Sequence, residues 1–406
     1  MADPPALARI QFAVTTTFHF LFVLLTLGLV VLVAIMQTRY AITGKSEHRR
    51  ATRFFGKLYV VNYALGIATG IVMEFQFGLT WSGLSTYAGD VFGAPLAIET
   101  LVAFFLESTF LGLWIFGWDR LNKWVHLALI WLTAATAFAS AFWIMVSNAF
   151  LQNPVGYELR DGVLRLTDFG ALLRNPTLTD AVLHLSSAAL ATGGFFVAGV
   201  SAWHFLRRTK DIVLFKRTIR LGLIASTVGM YGVISYGFEQ YGVLKNVQPA
   251  KVADPDDLPA LTDRLGADNM PPGWIHVPRD VMVNMGFTLA LVSLVALLLT
   301  IGNLVVRLRF PLVVLLVVVP VPFAAAICGW LLREEGRQPW LINGVLRTAD
   351  GMSPVGAGSV LASLIGFSAL FVLLALADWI LIARLAGRGP EPEQAPAPVR
   401  EPAIVL

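Results

Sequence analysis

A few side chains in this 406-residue chain could do chemistry in surroundings that otherwise offer none. His19 sits in "QFAVTTTFHFLFVLL", Glu99 and Glu107 in "GAPLAIETLVAFFLEST", His184 in "TDAVLHLSSAAL" and Met282 in "RDVMVNMG". Glu334, Glu335 and Arg337 crowd into "REEGRQPW", residues 333–340, directly after the apolar run "FPLVVLLVVVPVPFAAAICGWLL". Polar groups in such company are costly and are functional candidates by default. Histidine and methionine together are common axial ligands of low-spin haem iron. Carboxylates stacked along one helix can pass protons across short water gaps, and arginine offers a planar fork that grips carboxylates. Cys328 is the one cysteine, so the chain has no internal disulfide, no CxxC metal site and no CxxCH for thioether-linked haem.

These groups must be positioned by membrane helices. Only 14% of the residues are charged and 56% are hydrophobic, against about 25% charged in soluble domains. The expected fold is an all-α polytopic membrane protein. Nine runs are long enough to span, near 12–36, 54–74, 96–118, 124–147, 181–206, 217–240, 281–305, 311–332 and 356–385. The first lacks a basic leader and is too long for a cleaved signal, so it is read as a retained helix. Basic segments follow helices 1, 3, 5 and 7 ("RYAITGKSEHRRATRFFGK", "DRLNK", "RRTKDIVLFKRTIR", "RLR"), which predicts an external N-terminus and a cytoplasmic C-terminus. The bundle is expected over 1–386, with an external loop at about 241–280 and a Pro-rich, disordered cytoplasmic tail at 387–406. The net charge of +4 fits basic cytoplasmic loops and gives no sign of nucleic acid as a partner.

With this topology His19, Glu99, His184, Met282 and Glu334 all fall in the outer half of the membrane. His184 and Met282 open separate helices at matching depth and could clamp one haem iron. His19 could hold a second, with Glu99 or Glu334 as oxygen-donor partner. The common role of a lone bundle histidine is a packing hydrogen bond, and the shared depth argues against that here. Glu107 follows Glu99 by eight residues, which in a regular helix is about 12 Å of rise and about 80° of rotation, so both can line one interior face as a proton path. His48, His126 and His204 are expected at cytoplasmic helix ends, and His276 in the outer loop.

The segments "RIQFAVTTTFHF", "FFGKLYVVNYALGIATGIVMEFQFG", "GDVFGAPLAIETLVAFFLESTFLGLWIFGWDRL", "SAFWIMVSNAFLQNPVG" and "EEGRQPW" resemble subunit I of the cytochrome bd-type quinol oxidases. The likeness runs through all nine helices. It implies a terminal oxidase with haem b558, haem b595 and haem d, although the same ligands could hold haem b in place of haem d. It implies His184 and Met282 as b558 ligands, and His19 and Glu334 as ligands of the high-spin pair with Glu99 beside them. Glu107, with Ser108, Ser140 and Asn148, would belong to the proton route. Arg9, Arg337 and Trp340 would contact the haem cluster, Arg337 through propionates, and Trp330 matches an aromatic between haems. Glu335 is assigned to solvent.

Two stretches depart from the family pattern. Where an arginine is expected two residues before Met282 the chain has Asp280, with Arg279 displaced by one and Met285 as a weaker ligand candidate. In "GFEQYGVLKNVQPAKVADPDD" the quinol-binding candidates are Gln240, Lys251 and Asp256, the last replacing a glutamate. The implied substrates are a membrane quinol (ubiquinol or menaquinol) and O2, with quinol protons released outside, cytoplasmic protons used to make water, and no pump. The implied partners are a subunit II-like chain or a second copy, with small single-helix subunits. The competing readings are a haem-free transporter built on Glu99 and Glu107, and a quinone-linked protein with another acceptor.

Overall fold

The computed structural model describes residues 3–392; residues 393–406 of the Pro-rich tail lie outside it. Among the described residues, nine helices are long and apolar enough to cross a membrane. They are α1 (Pro4–Thr43), α2 (Ser46–Leu79), α3 (Ser82–Phe116), α4 (Lys123–Gln152), α5 (Thr179–Leu206), α6 (Ile212–Val247), α7 (Gly273–Leu298), α8 (Arg309–Glu335) and α9 (Ala357–Arg388). Large apolar side chains such as Phe105, Phe116, Phe310 and Ile365 point out of the bundle, as lipid contact requires.

Most helices exceed the apolar stretches that announced them. Hydropathy marks only the hydrocarbon-spanning part, whereas the backbone stays helical through the polar ends. The largest revision is α3. It begins at Ser82, so Glu99 lies mid-helix rather than one turn in. Pro95 lies inside it, and the six residues Glu99–Phe104 form a π turn. Such turns insert a residue into the helical register, so the rotation calculated for a regular helix between Glu99 and Glu107 does not apply. At the other extreme α7 stops at Leu298, seven residues early, because Gly302 and Asn303 adopt left-handed backbone (φ 67° and 63°). His276 is the first residue of the regular α-helix in α7, not a loop residue, and the loop after α6 is correspondingly shorter, residues 248–272.

The loops separate into two interlocked sets. At one end Arg53 donates to Asp119 (2.7 Å) and Arg50 to Asp211 (2.7 Å), while Arg220 reaches Asn303 (3.0 Å), so the four basic segments gather together. At the other end two small hairpins, β1–β2 (Tyr157–Arg160 with Val163–Leu166) and β3–β4 (Trp340–Ile342 with Leu346–Arg347), cover the helix termini. There Ser353 N–H donates to Thr80 O (2.9 Å), Asn343 N–H to Leu151 O (3.0 Å) and Arg347 to Asn269 Oδ1 (2.8 Å). A hydrophobic cluster fills each end, one around Phe55, Trp114 and Phe215, the other around Trp81, Phe150 and Ile342.

His126 and His204 are 5% and 8% exposed, so they are packing residues and not interfacial ones. His126 Nε2 bonds Trp114 O and His204 Nε2 bonds Ala386 O, both at 2.8 Å. Their place beside charged loops suggested an interfacial role in the sequence, but both rings turn inward.

α1 and α5 cross at Gly28 and Gly193. A Cβ on Gly28 would lie 2.1 Å from Ala189 O and 2.9 Å from Gly193 Cα. Gly28→Val should push the helices apart at a cost on the order of 1–3 kcal/mol or more, read as a lower melting temperature in detergent. Gly78→Val, with open space around it, should leave it unchanged.

Candidate haem and proton site

Glu334 lies in the last turn of α8, next to its final residue Glu335, and is 7% exposed. Its Oε1 accepts from Asn148 Nδ2 at 2.7 Å and from Gln152 Nε2 at 3.5 Å; its Oε2 accepts from Arg337 Nη2 at 2.8 Å. Arg333 Nε donates to Asn148 Oδ1 (2.5 Å). Asn148 and Gln152 are four apart on α4 and so share a face. A buried carboxylate is tolerated when its oxygens are bonded and its charge is opposed. Both conditions are met here.

Glu335 is also buried, at 8% exposure, and bonds Arg9 of α1. This corrects its assignment to solvent: the chain turns at Gly336 and Glu335 meets the arginine of a distant helix. Lys251, in the short helix Pro249–Val252, is 1% exposed. Its Nζ donates to Gln152 Oε1 (2.8 Å) and to Arg333 O (3.0 Å). Burial, then Arg337 and Arg333, push its pKa well below the ordinary lysine range, with Glu334 opposing. Neutral or charged, the amine has donors enough for both acceptors.

The candidate axial ligands share one local arrangement. Each faces a glycine on the neighbouring helix, where an added Cβ would lie 3.1 Å from His19 Cε1 (Gly70), 3.4 Å from His184 Cε1 (Gly237) and 2.8 Å from Met282 Sδ (Gly329). The fit is tight at Met282 and His19, where a Cβ would crowd the side chain, and looser at His184, where it would only touch. Thr69 Oγ1 lies 2.8 Å from Gly66 O and 3.0 Å from His19 Nδ1. If the hydroxyl donates to the carbonyl, Nδ1–H donates to the hydroxyl, which leaves the Nε2 lone pair for a metal. His184 is seated against α6 and Met282 against α8. Trp330 stacks on Phe20 (5.2 Å between centroids).

The arginines also carry unused donors. Arg9 Nε, Arg333 Nη2, Arg337 Nη1 and Trp330 Nε1 are buried without a hydrogen-bond partner. Arg9 and Arg337, with Glu334, Glu335, Phe12, Phe77 and others, line a cavity of about 30 Å³. Orphaned guanidinium donors suit acidic propionates. Together with the cradled His and Met donors, these residues fit haem. Trp340 contributes its carbonyl to Arg337 Nε (3.4 Å) and its ring to Arg347 (4.8 Å).

Glu99, at the start of the π turn, accepts from Ser140 Oγ of α4 and from Thr100 Oγ1 (3.0 Å). Glu107 is 5% exposed, and beside it Ser108 Oγ lies 3.3 Å from Tyr63 Oη. Hydroxyls thus accompany both carboxylates.

A larger cavity, about 460 Å³, opens in the loop between α6 and α7. Tyr241, Lys245, Asp254, Asp257 and Arg264 are among the residues that line it. Gln240 is half-buried one residue before Tyr241, and Asp256 is exposed beside Asp257. Lys251 does not line it. Arg279, displaced by one from its expected place, donates to Val252 O (3.4 Å) and Ala253 O (3.1 Å), so it holds the loop.

Sequence reasoning did not single out Gln152, Thr69 or the three cradle glycines. Asn148 and Gln152 did leave a signal, polar positions four apart in "SNAFLQN". The glycines left none, because their partners lie on other helices.

The fold is a multi-pass membrane bundle, with histidine, methionine and glutamate side chains buried or cradled among its helices as candidate haem ligands. The profile of the cytochrome bd terminal oxidase subunit I family matches residues 7–260 and 254–390. The chain is 37% identical to the cytochrome bd ubiquinol oxidase subunit 1 of Bacillus subtilis, covering 95% of this chain and 94% of that one. It is 34% identical to the cytochrome bd-II ubiquinol oxidase subunit 1 of Escherichia coli, over 99% and 100%. The bd oxidase structure from Geobacillus thermodenitrificans superposes with a TM-score of 0.87 at 27% identity, over 96% of this chain and 99% of that one. The chain belongs to the cytochrome bd terminal oxidase subunit I family. It is a multi-pass plasma-membrane protein, and haem cofactors are expected in it.

Arg337→Met would strip Glu334 of its direct ion pair. Breaking a buried pair costs about 3–5 kcal/mol, so this variant should melt earlier and retain less haem per protein by pyridine haemochrome assay.

Proposed function

We propose that this chain is the catalytic subunit of a quinol:oxygen oxidoreductase. The observation that carries the reading is the buried Glu334, bonded by Asn148 and Arg337, beside arginines with orphaned donors and close to the bundle end that holds the loop cavity. His184 and Met282 would hold haem b558; His19 and Glu334, with Glu99 adjacent, would hold haem b595 and haem d, or haem b in place of the latter. When bound, those groups supply electron transfer and oxygen reduction.

The remaining chemistry belongs to the protein. Two quinols release four electrons and four protons, and one O2 takes up four of each to give two waters. The gathering of the basic segments at one end supports placing that end in the cytoplasm and the loop cavity outside. The cavity beside Lys245, Asp254, Asp257 and Arg264 suits a quinol headgroup: cations can orient its oxygens and carboxylates can accept its protons. Asp256 and Gln240 flank that wall. Glu107 and Glu99 would relay protons from the other side, with Ser140, Ser108 and Tyr63 donating and accepting along the way. Opposite sides for proton release and uptake generate charge separation without pumping. A subunit II-like chain or a second copy, with small single-helix subunits, would cover part of the apolar surface.

A reduced-minus-oxidised optical spectrum of the purified protein, with and without carbon monoxide, tests the reading. A b-type α band beside a red chlorin band that moves with carbon monoxide is expected; b bands alone would place haem b at the oxygen site. Absence of haem would overturn the proposal in favour of a transporter. Glu107→Gln should slow oxygen consumption by about tenfold to hundredfold or more while leaving the spectrum intact.

A further inference from the structure

We propose that Lys251 is an internal strut joining the loop after α6 to the Glu334 segment, and so a positioning residue for quinol oxidation that does not touch quinol. The proposal rests on reading the chain as a quinol oxidase subunit. Lys251 is 1% exposed, and its amine is engaged by Gln152 Oε1 and Arg333 O. Its stem runs over Gly336: a Cβ there would meet Lys251 Cε at 2.9 Å and Cγ at 3.0 Å. The glycine of "EEGRQPW" thus leaves the path that the lysine takes.

The residues around Lys251 face the other way. Pro249, Val252, Ala253 and Asp254 line the 460 Å³ cavity. The same short segment is tied down from both directions: Gln248 Nε2 donates to Gln152 O (3.2 Å), Tyr241 Oη to Val252 O (3.0 Å) and Arg279 Nη1 to Ala253 O (3.1 Å). Residues 255–269, by contrast, contain no buried residue. Lys251 therefore decides where one wall of the cavity stands relative to Glu334. Gln152 serves both, accepting from Lys251 and donating towards Glu334.

A lysine that binds quinol directly would present its amine to the cavity, and its loss would leave the loop backbone undisturbed. A strut behaves otherwise. In the complete, haem-loaded protein, Lys251→Met should speed amide exchange across 249–254 by about tenfold or more, the factor expected when buried acceptors lose their donor. It should also raise the quinol KM several-fold with a smaller change in kcat, and shift the absorption of the haem held by Glu334. Gln152→Met, at a residue 1% exposed and out of reach of quinol, should reproduce all three effects. Asp257→Asn, on the cavity wall, should raise KM while leaving exchange and spectrum alone. The proposal is overturned if Lys251→Met raises KM with loop exchange unchanged, or if Gln152→Met leaves the loop as protected as before. If Lys251→Met does not assemble, Gln152→Met alone decides by the same exchange readout. Exchange needs neither haem nor turnover, so a chain lacking quinol oxidation would defeat the functional reading and still report on the strut.

Discussion

An ionised carboxylate buried near the end of a membrane bundle must have its charge answered locally, because neither lipid nor packed side chains can do so. Glu334 is that carboxylate, and much of its end of the bundle is arranged around it. Asn148 and Gln152 reach it from α4, and Arg337 folds back onto it from the turn after α8. Arg333 braces Asn148, and Lys251 braces Gln152. Three stretches of chain far apart in sequence therefore depend on one anion. The surplus of cationic donors is also informative: more guanidinium nitrogen is present than Glu334 and Glu335 use, which is the imbalance expected where acidic groups of a cofactor complete the cluster.

Close approach between helices is the second constraint. The glycines facing His19, His184 and Met282 let a ligand side chain lie against backbone rather than against another side chain. The fit is tightest at Met282 and His19, and at His19 Thr69 adds a hydrogen-bond partner for Nδ1. At the α1–α5 crossing the same device brings whole helices together. The π turn at Glu99 belongs with these features. It starts at the carboxylate that accepts from Ser140, and it changes the register between Glu99 and Glu107.

The departures from the family pattern acquire a local meaning. Arg279, one residue out of place, is bonded to the carbonyls of the loop that shapes the large cavity, and Asp280 pairs with it at 2.9 Å. The cation at this position therefore serves the loop. Lys251 shows the complementary case: a residue that looks like a surface ligand in the sequence is the most deeply buried part of its loop.

Much was legible without a structure. Nine spans, their alternation and the family likeness follow from hydropathy and motif, since a bilayer demands long apolar helices whatever they pack against. The candidate ligands were also legible, because a histidine or glutamate in an apolar run stands out by its cost. Contact between helices was not. That Glu335 meets Arg9, that Lys251 turns inward to Gln152, and that His126 and His204 are packed inside all depend on which faces of distant helices meet. So does the start of α3, whose glycine- and proline-containing first turns, "SGLSTYAGDVFGAP", read locally as loop. Local composition reports the cost of placing a group in the membrane; only the assembled bundle supplies the partners that offset it.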